Sequence, residues 1–288
     1  MTSAVTSPTN AHGKNDQFFP NGPVVTVEWL SSNINRKDVV VLCASMGDAG
    51  RARGNGIPGA YLADLEAEFS DVNAELPHTA PGNLVGLLES YGISTNTNVV
   101  VYDLHGLMVA PRVWWLLRVA GLENVGVLDG GLPAWVAAGN STAALTSPLG
   151  GGRINAEPQP GLLVGADGIE RALARSSKAV VDARSAGRFS GVEDEPRPGL
   201  RKGSIPGSVN IPFTELSDER GFVRSPEELL ELIQSRTGSA RSLVFSCGSG
   251  VTACVDAYAA IIAGYDDVVV YEGSWAEWGN PANQKPIA

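Results

Sequence analysis

Residues 243–252 read Leu-Val-Phe-Ser-Cys-Gly-Ser-Gly-Val-Thr, an apolar run that ends on Cys247 and is followed by two glycines. The run reads as a buried strand and the glycines as a tight turn, with a helix expected to open near Thr252. A cysteine at the carboxyl end of a parallel strand lies where open α/β sheets bind their ligands. Gly248 and Gly250 let backbone N–H groups turn inward as a cradle for negative charge, and the helix N-terminus adds positive potential. Such surroundings bring a thiol from its ordinary pKa of ~8.5 to roughly 3.5–7.5, which makes it a nucleophile. The chemistry predicted at Cys247 is therefore covalent.

Two enzyme classes use a strand, a cysteine loop and a helix in this way. Cysteine phosphatases need an arginine six residues after the nucleophile to clamp phosphate bidentately, and that position here is Ala253. Sulfur transfer has no such need, because a bound persulfide is smaller and carries less charge. The loop favours sulfur. Cys254, within the helix among Ala and Val, and Cys43, in an apolar strand, read as core residues.

The elements that must position this loop come from an internal duplication of about 145 residues. Ile57-Pro58-Gly59-Ala60 recurs as Ile205-Pro206-Gly207-Ser208, residues 99–103 correspond to 243–247, and the Gly-x4-Trp of Gly130–Trp135 returns at Gly273–Trp278. In the first copy 39–42, 98–102 and 125–128 are predicted strands and 111–119 a helix. In the second, 179–182, 242–246 and 268–271 are strands, and Ser225-Pro226-Glu227-Glu228 has the cap, first-turn proline and acids of a helix start. Continuous apolar strands separated by helices imply an α/β fold of two tandem domains, each a parallel sheet flanked by helices on both faces. The expected division is a disordered tail over 1–21, domains over 22–140 and 162–288, and a linker over 141–161.

The 288 residues carry a net charge of −10, with 43% hydrophobic residues, which excludes a general basic field for nucleic acid or anionic membranes. No apolar run approaches the ~20 residues of a membrane span, and no secretion signal is read. Three cysteines without a Cys-x-x-Cys pair, and three scattered histidines, point to a reducing cytoplasm and to neither a disulfide framework nor a metal site. No cofactor is expected.

The loop Cys247-Gly248-Ser249-Gly250-Val251-Thr252 resembles that of the two-domain rhodanese superfamily, in particular its 3-mercaptopyruvate sulfurtransferases. The resemblance extends over roughly residues 22–280. Ala110-Pro111-Arg112-Val113-Trp114-Trp115, Asp182-Ala183-Arg184 and Gly273-Ser274-Trp275-Ala276-Glu277-Trp278 support it. Thiosulfate-specific members carry basic residues where this chain has Gly248 and Ser249. The resemblance implies that only the second copy is catalytic, Asp103 standing at the first copy's cysteine position. It also implies a cycle in which Cys247 takes sulfur from 3-mercaptopyruvate as a persulfide held by amides of 248–252, with Ser249 donating to the leaving enolate or relaying its proton. The sulfur passes to cyanide or a thiol acceptor such as thioredoxin.

Arg188 and Arg197 match the two arginines that the family uses on substrate. An α-keto acid offers a carboxylate and an adjacent carbonyl that a guanidinium fork can hold with fixed geometry. Arg184 is read as a framework residue paired with an acid, and Arg201 as solvated. Family members usually place His before both Ile-Pro-Gly motifs, where this chain has Gly56 and Ser204. The proton relay is thus in question, with Asn55 and His78 as nearby polar residues and neither assigned to it. Thiosulfate sulfurtransfer, or a non-catalytic sulfur-relay or binding role, are the alternatives.

Overall fold

The computed structural model describes Phe19 and residues 22–288. Apart from Phe19, the segment expected as a tail lies outside the described residues. Phe19 itself is buried edge-on against Trp29, with ring centroids 4.9 Å apart.

Two five-stranded sheets account for the strands. The first holds β1 (Val24–Val25), β2 (Val39–Ser45), β3 (Tyr61–Asp64), β4 (Asn98–Tyr102) and β5 (Val125–Leu128) in the order β1-β5-β4-β2-β3. The second holds β6 (Leu163–Val164), β7 (Lys178–Asp182), β8 (Val209–Asn210), β9 (Ser242–Ser246) and β10 (Asp267–Tyr271) in the order β6-β10-β9-β7-β8. Every pairing is parallel, and β4 and β9 occupy the same place in the two sheets, buried along their whole length. A strand covered on both faces reads as an unbroken apolar run, which is why these two are the clearest in the sequence. The edge strands β1, β6 and β8 have two residues each and leave no periodicity to read.

Segment 141–161 does not run free between the sheets. Gly56 and Ala143 exchange backbone hydrogen bonds, Thr146 donates to Ala60, and Gly152 donates to Glu89, so the segment straps the first sheet's edge. The predicted helix start at Ser225 is a full capping box on helix Pro226–Thr237.

The halves pack through helix Ala110–Val119 of the first and helix Ala253–Ile262 of the second. Both are buried nearly all round because each lies between its own sheet and the opposite half. Trp114 meets Tyr258 edge-on at 5.0 Å between centroids, and the Tyr258 hydroxyl donates to the Pro23 carbonyl. The docking is reciprocal. Residues 66–80, after β3, reach the loops after β9 and β10, with His78 against Ser249 and Ala80 N donating to the Glu272 carboxylate at 2.8 Å. Residues 217–223, after β8, reach the loops after β4 and β5, with Gly221 close to Gly106 and Val223 N donating to Asp129 at 2.8 Å. Among the described residues no helix is long and apolar enough to cross a membrane.

Candidate active site

Cys247 follows β9 directly and is almost fully buried. Its loop is tied from beneath by the Gly273–Trp278 segment: Trp275 N donates to Cys247 O and Ala276 N to Gly248 O, both at 2.9 Å. Ser274 sits at φ +49°, in the left-handed region, and its Oγ accepts the N–H groups of Cys247 (3.0 Å) and Gly250 (3.1 Å) while donating to Tyr271 O. That oxygen also stands 4.0 Å from Cys247 Sγ. The two glycines have separate reasons. Gly250 adopts φ +74°, and a Cβ there would press on the Glu272 carbonyl. Gly248 leaves room for guanidinium groups, since a Cβ would stand 3.0 Å from Arg188 Nη2 and 3.8 Å from Arg197 Nη1.

The first half provides an internal reference for what this loop binds. Asp103 occupies the Cys247 position, and its carboxylate accepts five backbone N–H groups: His105 and Gly106 on Oδ1, and Met108, Val109 and Ala110 on Oδ2, at 2.7–2.9 Å. The first loop is an anion cradle filled by its own side chain. Counted from Cys247, the corresponding residues are Ser249, Gly250, Thr252, Ala253 and Cys254. Gly250 N is taken by Ser274, and Cys254 N by Val251 O. The amides of Ser249, Thr252 and Ala253 have no acceptor among the described residues. The cradle beside the sulfur can therefore take an anion.

Above the loop, Glu195 is buried and holds two arginines. It accepts from Arg184 Nη1 at 2.7 Å, and from Arg188 through Nη2 at 2.6 Å and Nε at 3.3 Å. Arg184 also forks onto Asp182 and lies over the Trp275 ring, 4.3 Å from its centroid, which is the framework role expected for it. Arg197 has no carboxylate partner among the described residues, and its Nη1 faces the space above Gly248. Arg201 differs from expectation. It donates to the carbonyls of Trp278, Gly279 and Lys285 and so fastens the C-terminal segment, because a guanidinium can satisfy several main-chain acceptors at once.

His78 comes to the site from the first half. Its Nδ1 lies 2.9 Å from Ser249 Oγ and its Nε2 3.4 Å from Glu66 Oε1. A carboxylate only accepts, which assigns the proton to Nε2 and leaves Nδ1 to accept from the Ser249 hydroxyl. Burial lowers the His78 pKa and the Arg197 and Arg112 charges add to this, although the Glu66 contact opposes them. The ring is held neutral, with one acceptor nitrogen aimed at Ser249.

Every predicted site residue except the arginines lies on the single loop 247–252, and the fold brings Arg188 and Arg197 over it. Gly56 and Ser204 lie elsewhere: Gly56 packs under Leu145 and Tyr102, and Ser204 pairs with the main chain of Ala288. Asn55 only ends a short helix. Sequence reasoning left His78 unassigned and passed over Glu195 and Ser274. Ser274 carried a faint signal as the residue after Gly in the second Gly-x4-Trp, where the first copy has Gly131. Cys43 and Cys254 are buried, and burial pushes both thiols up to about 12, so neither is a nucleophile at neutral pH.

The family description "Rhodanese-like domain" matches twice, over residues 26–138 and 166–281. The 3-mercaptopyruvate sulfurtransferase of Rattus norvegicus is 41% identical over 77% of this chain and 76% of its own length. That of Escherichia coli K12 is 35% identical over 90% of this chain and 95% of its own. The crystal structure of SseA from Escherichia coli, described as a 3-mercaptopyruvate sulfotransferase, superposes with a TM-score of 0.77 at 32% identity. It covers 88% of this chain and 99% of that one.

Proposed function

The chain belongs to the rhodanese family as a member with two tandem domains, and from that premise we propose that it is a 3-mercaptopyruvate sulfurtransferase. It moves sulfur through a Cys247 persulfide to a thiol or cyanide and releases pyruvate. The observation that carries this reading is the convergence of Arg188 and Arg197 on Gly248, beside a cysteine whose loop has free amides and a serine bonded to a neutral histidine. The guanidinium groups suit the carboxylate and carbonyl of an α-keto acid.

The Cys247 thiolate forms a bond to the substrate sulfur as the carbon–sulfur bond breaks, and that electron pair moves onto the methylene carbon as the pyruvate enolate. Arg188 and Arg197 hold the carboxylate and stabilise the enolate oxygen. The proton first carried by the substrate thiol ends on the methyl carbon of pyruvate, and Cys247 is left as the persulfide anion. That proton has to travel, and the Ser249–His78 pair is the relay. Within residues 248–252 the free amides of Ser249 and Thr252 hold the persulfide, with Gly248, Gly250, Val251 and Thr252 shaping the loop. The first domain is non-catalytic, its cradle being filled by Asp103. Three unpaired cysteines fit a cytoplasmic enzyme with a thiol acceptor such as thioredoxin.

The test is intact mass after brief exposure to 3-mercaptopyruvate or to thiosulfate, followed by cyanide. Mercaptopyruvate is expected to add one sulfur that cyanide removes, and Cys247→Ser to carry none. Loading from thiosulfate alone would replace this reading with thiosulfate sulfurtransfer. No loading from either donor would leave a binding or relay protein.

A further inference from the structure

The interface that delivers His78 is fastened by an ion pair whose arginine is fully buried. Arg112, in helix Ala110–Val119, has no exposed surface, and its Nη2 donates both to the His78 carbonyl at 2.7 Å and to Glu272 Oε1 at 3.0 Å. The same Glu272 oxygen accepts from Ala80 N at 2.8 Å. Glu272 is the residue immediately before Gly273, whose segment ties the Cys247 loop from beneath. His78 adopts φ +59°, a conformation that a non-glycine residue keeps only where its surroundings hold it.

The pseudo-equivalent contact supplies a control. There Asp129 stands in place of Glu272, and it holds Val223 N as Glu272 holds Ala80 N. The residue nine positions after the loop aspartate is Arg112, whereas nine positions after Cys247 it is Asp256. Among the described residues neither Asp256 oxygen has a hydrogen-bond partner. Docking a loop on the opposite half thus needs no arginine. What Arg112 adds is a grip on the His78 main chain on the side where a histidine must reach Ser249.

We propose that Arg112 and Glu272 are positioning residues for the reaction, a clamp between the domains that sets His78 against Ser249. The proposal rests on the relay reading above. Misplacing a reacting group by about 1 Å can cost ~100-fold, so loss of the clamp should lower kcat while leaving binding by Arg188 and Arg197 intact.

The experiment measures kcat and KM with 3-mercaptopyruvate for Arg112→Met, Arg112→Lys, Glu272→Ala, His78→Asn and the double variant Arg112→Met/His78→Asn. Arg112→Met and Glu272→Ala are expected to lower kcat about 10- to 100-fold with KM within about threefold of wild type, and Arg112→Lys to recover part of the loss. The double variant should be no slower than His78→Asn alone, because both act on one relay. Multiplying losses, or wild-type kcat in the clamp variants, would overturn the clamp while leaving the relay standing. A wild-type rate in His78→Asn would overturn the relay itself, and the clamp with it. Glu272 is part exposed, so Glu272→Ala carries the test if Arg112→Met fails to fold.

Discussion

Arg188 shows how one side chain can be both committed and available. Two of its nitrogens are held by Glu195, yet Nη2 also faces the space above Gly248, and the side chain keeps some exposure. Glu195 fixes the fork in place before a ligand arrives, which lowers the ordering cost of binding a carboxylate. It also explains Gly248, since a larger or basic residue there would displace the guanidinium. Removing the fork should therefore weaken an α-keto acid more than a donor without one. Arg188→Gly is expected to raise KM for 3-mercaptopyruvate about 10- to 100-fold, from the ~1.5–3 kcal/mol of a hydrogen bond to a charged group. Initial rates with thiosulfate should change less, and equal effects on both donors would remove Arg188 as the carboxylate clamp.

Helix Ala253–Ile262 carries a buried acid, Asp256, that no described residue pairs. Burial pushes the Asp256 carboxyl well above the usual range, with the neighbouring charges of Cys247, Asp182 and Glu215 adding to it. The folded state thus keeps the proton that the unfolded chain gives up near pH 4. Stability from this group is fully present below the unfolded pKa and falls as pH rises towards the folded one, by at most about 1.4 kcal/mol per pH unit. Asp256→Asn removes that slope. The melting temperature of the variant should exceed that of wild type by a margin that widens from pH 5 to pH 8, reaching several degrees. A constant margin across that range would mean that Asp256 is ionised in the fold. Asp103, in the other half, is the opposite case, a carboxylate satisfied by five amides of the turn that leads into its helix.

The two halves are separate sheets but one body. A single apolar cluster runs from Leu42 and Trp114 in the first half to Phe245 and Tyr258 in the second, and the reciprocal loops close over it from both sides. Such a continuous core links the stability of each half to the other. Urea unfolding is expected as one transition, with tryptophan fluorescence and far-ultraviolet circular dichroism giving coincident midpoints. The tryptophans report on both halves, four of the six lying in the first and Trp275 and Trp278 in the second. Two resolved transitions would show that the domains unfold independently. The same arrangement makes the site a property of the whole chain, because Cys247, Ser249 and the arginines come from one half and His78 from the other.

Much of this was legible along the chain. The duplication, the buried central strands and the strand-turn-helix pattern around Cys247 follow from local pattern, because apolar runs, glycine turns and cap residues act over a few positions, whereas Arg188 and Arg197 were singled out by the family resemblance. The resemblance of loop 247–252 to a known superfamily then gave the chemistry. His78 was the limit. It lies 171 positions from Ser249, in a loop without periodicity, and no local rule brings two such residues to 2.9 Å. Positions 56 and 204, where family members usually place histidine, serve packing and main-chain pairing here, while the His78–Ser249 contact arises where the two domains meet. Arg112, read only as part of a motif, meets Glu272 because the opposite half presents that carboxylate to it. Sequence alone determined the duplicated parallel sheets and which of them carries the cysteine loop. Tertiary structure decided what faces them, because facing is set by the packing of distant segments against a shared core.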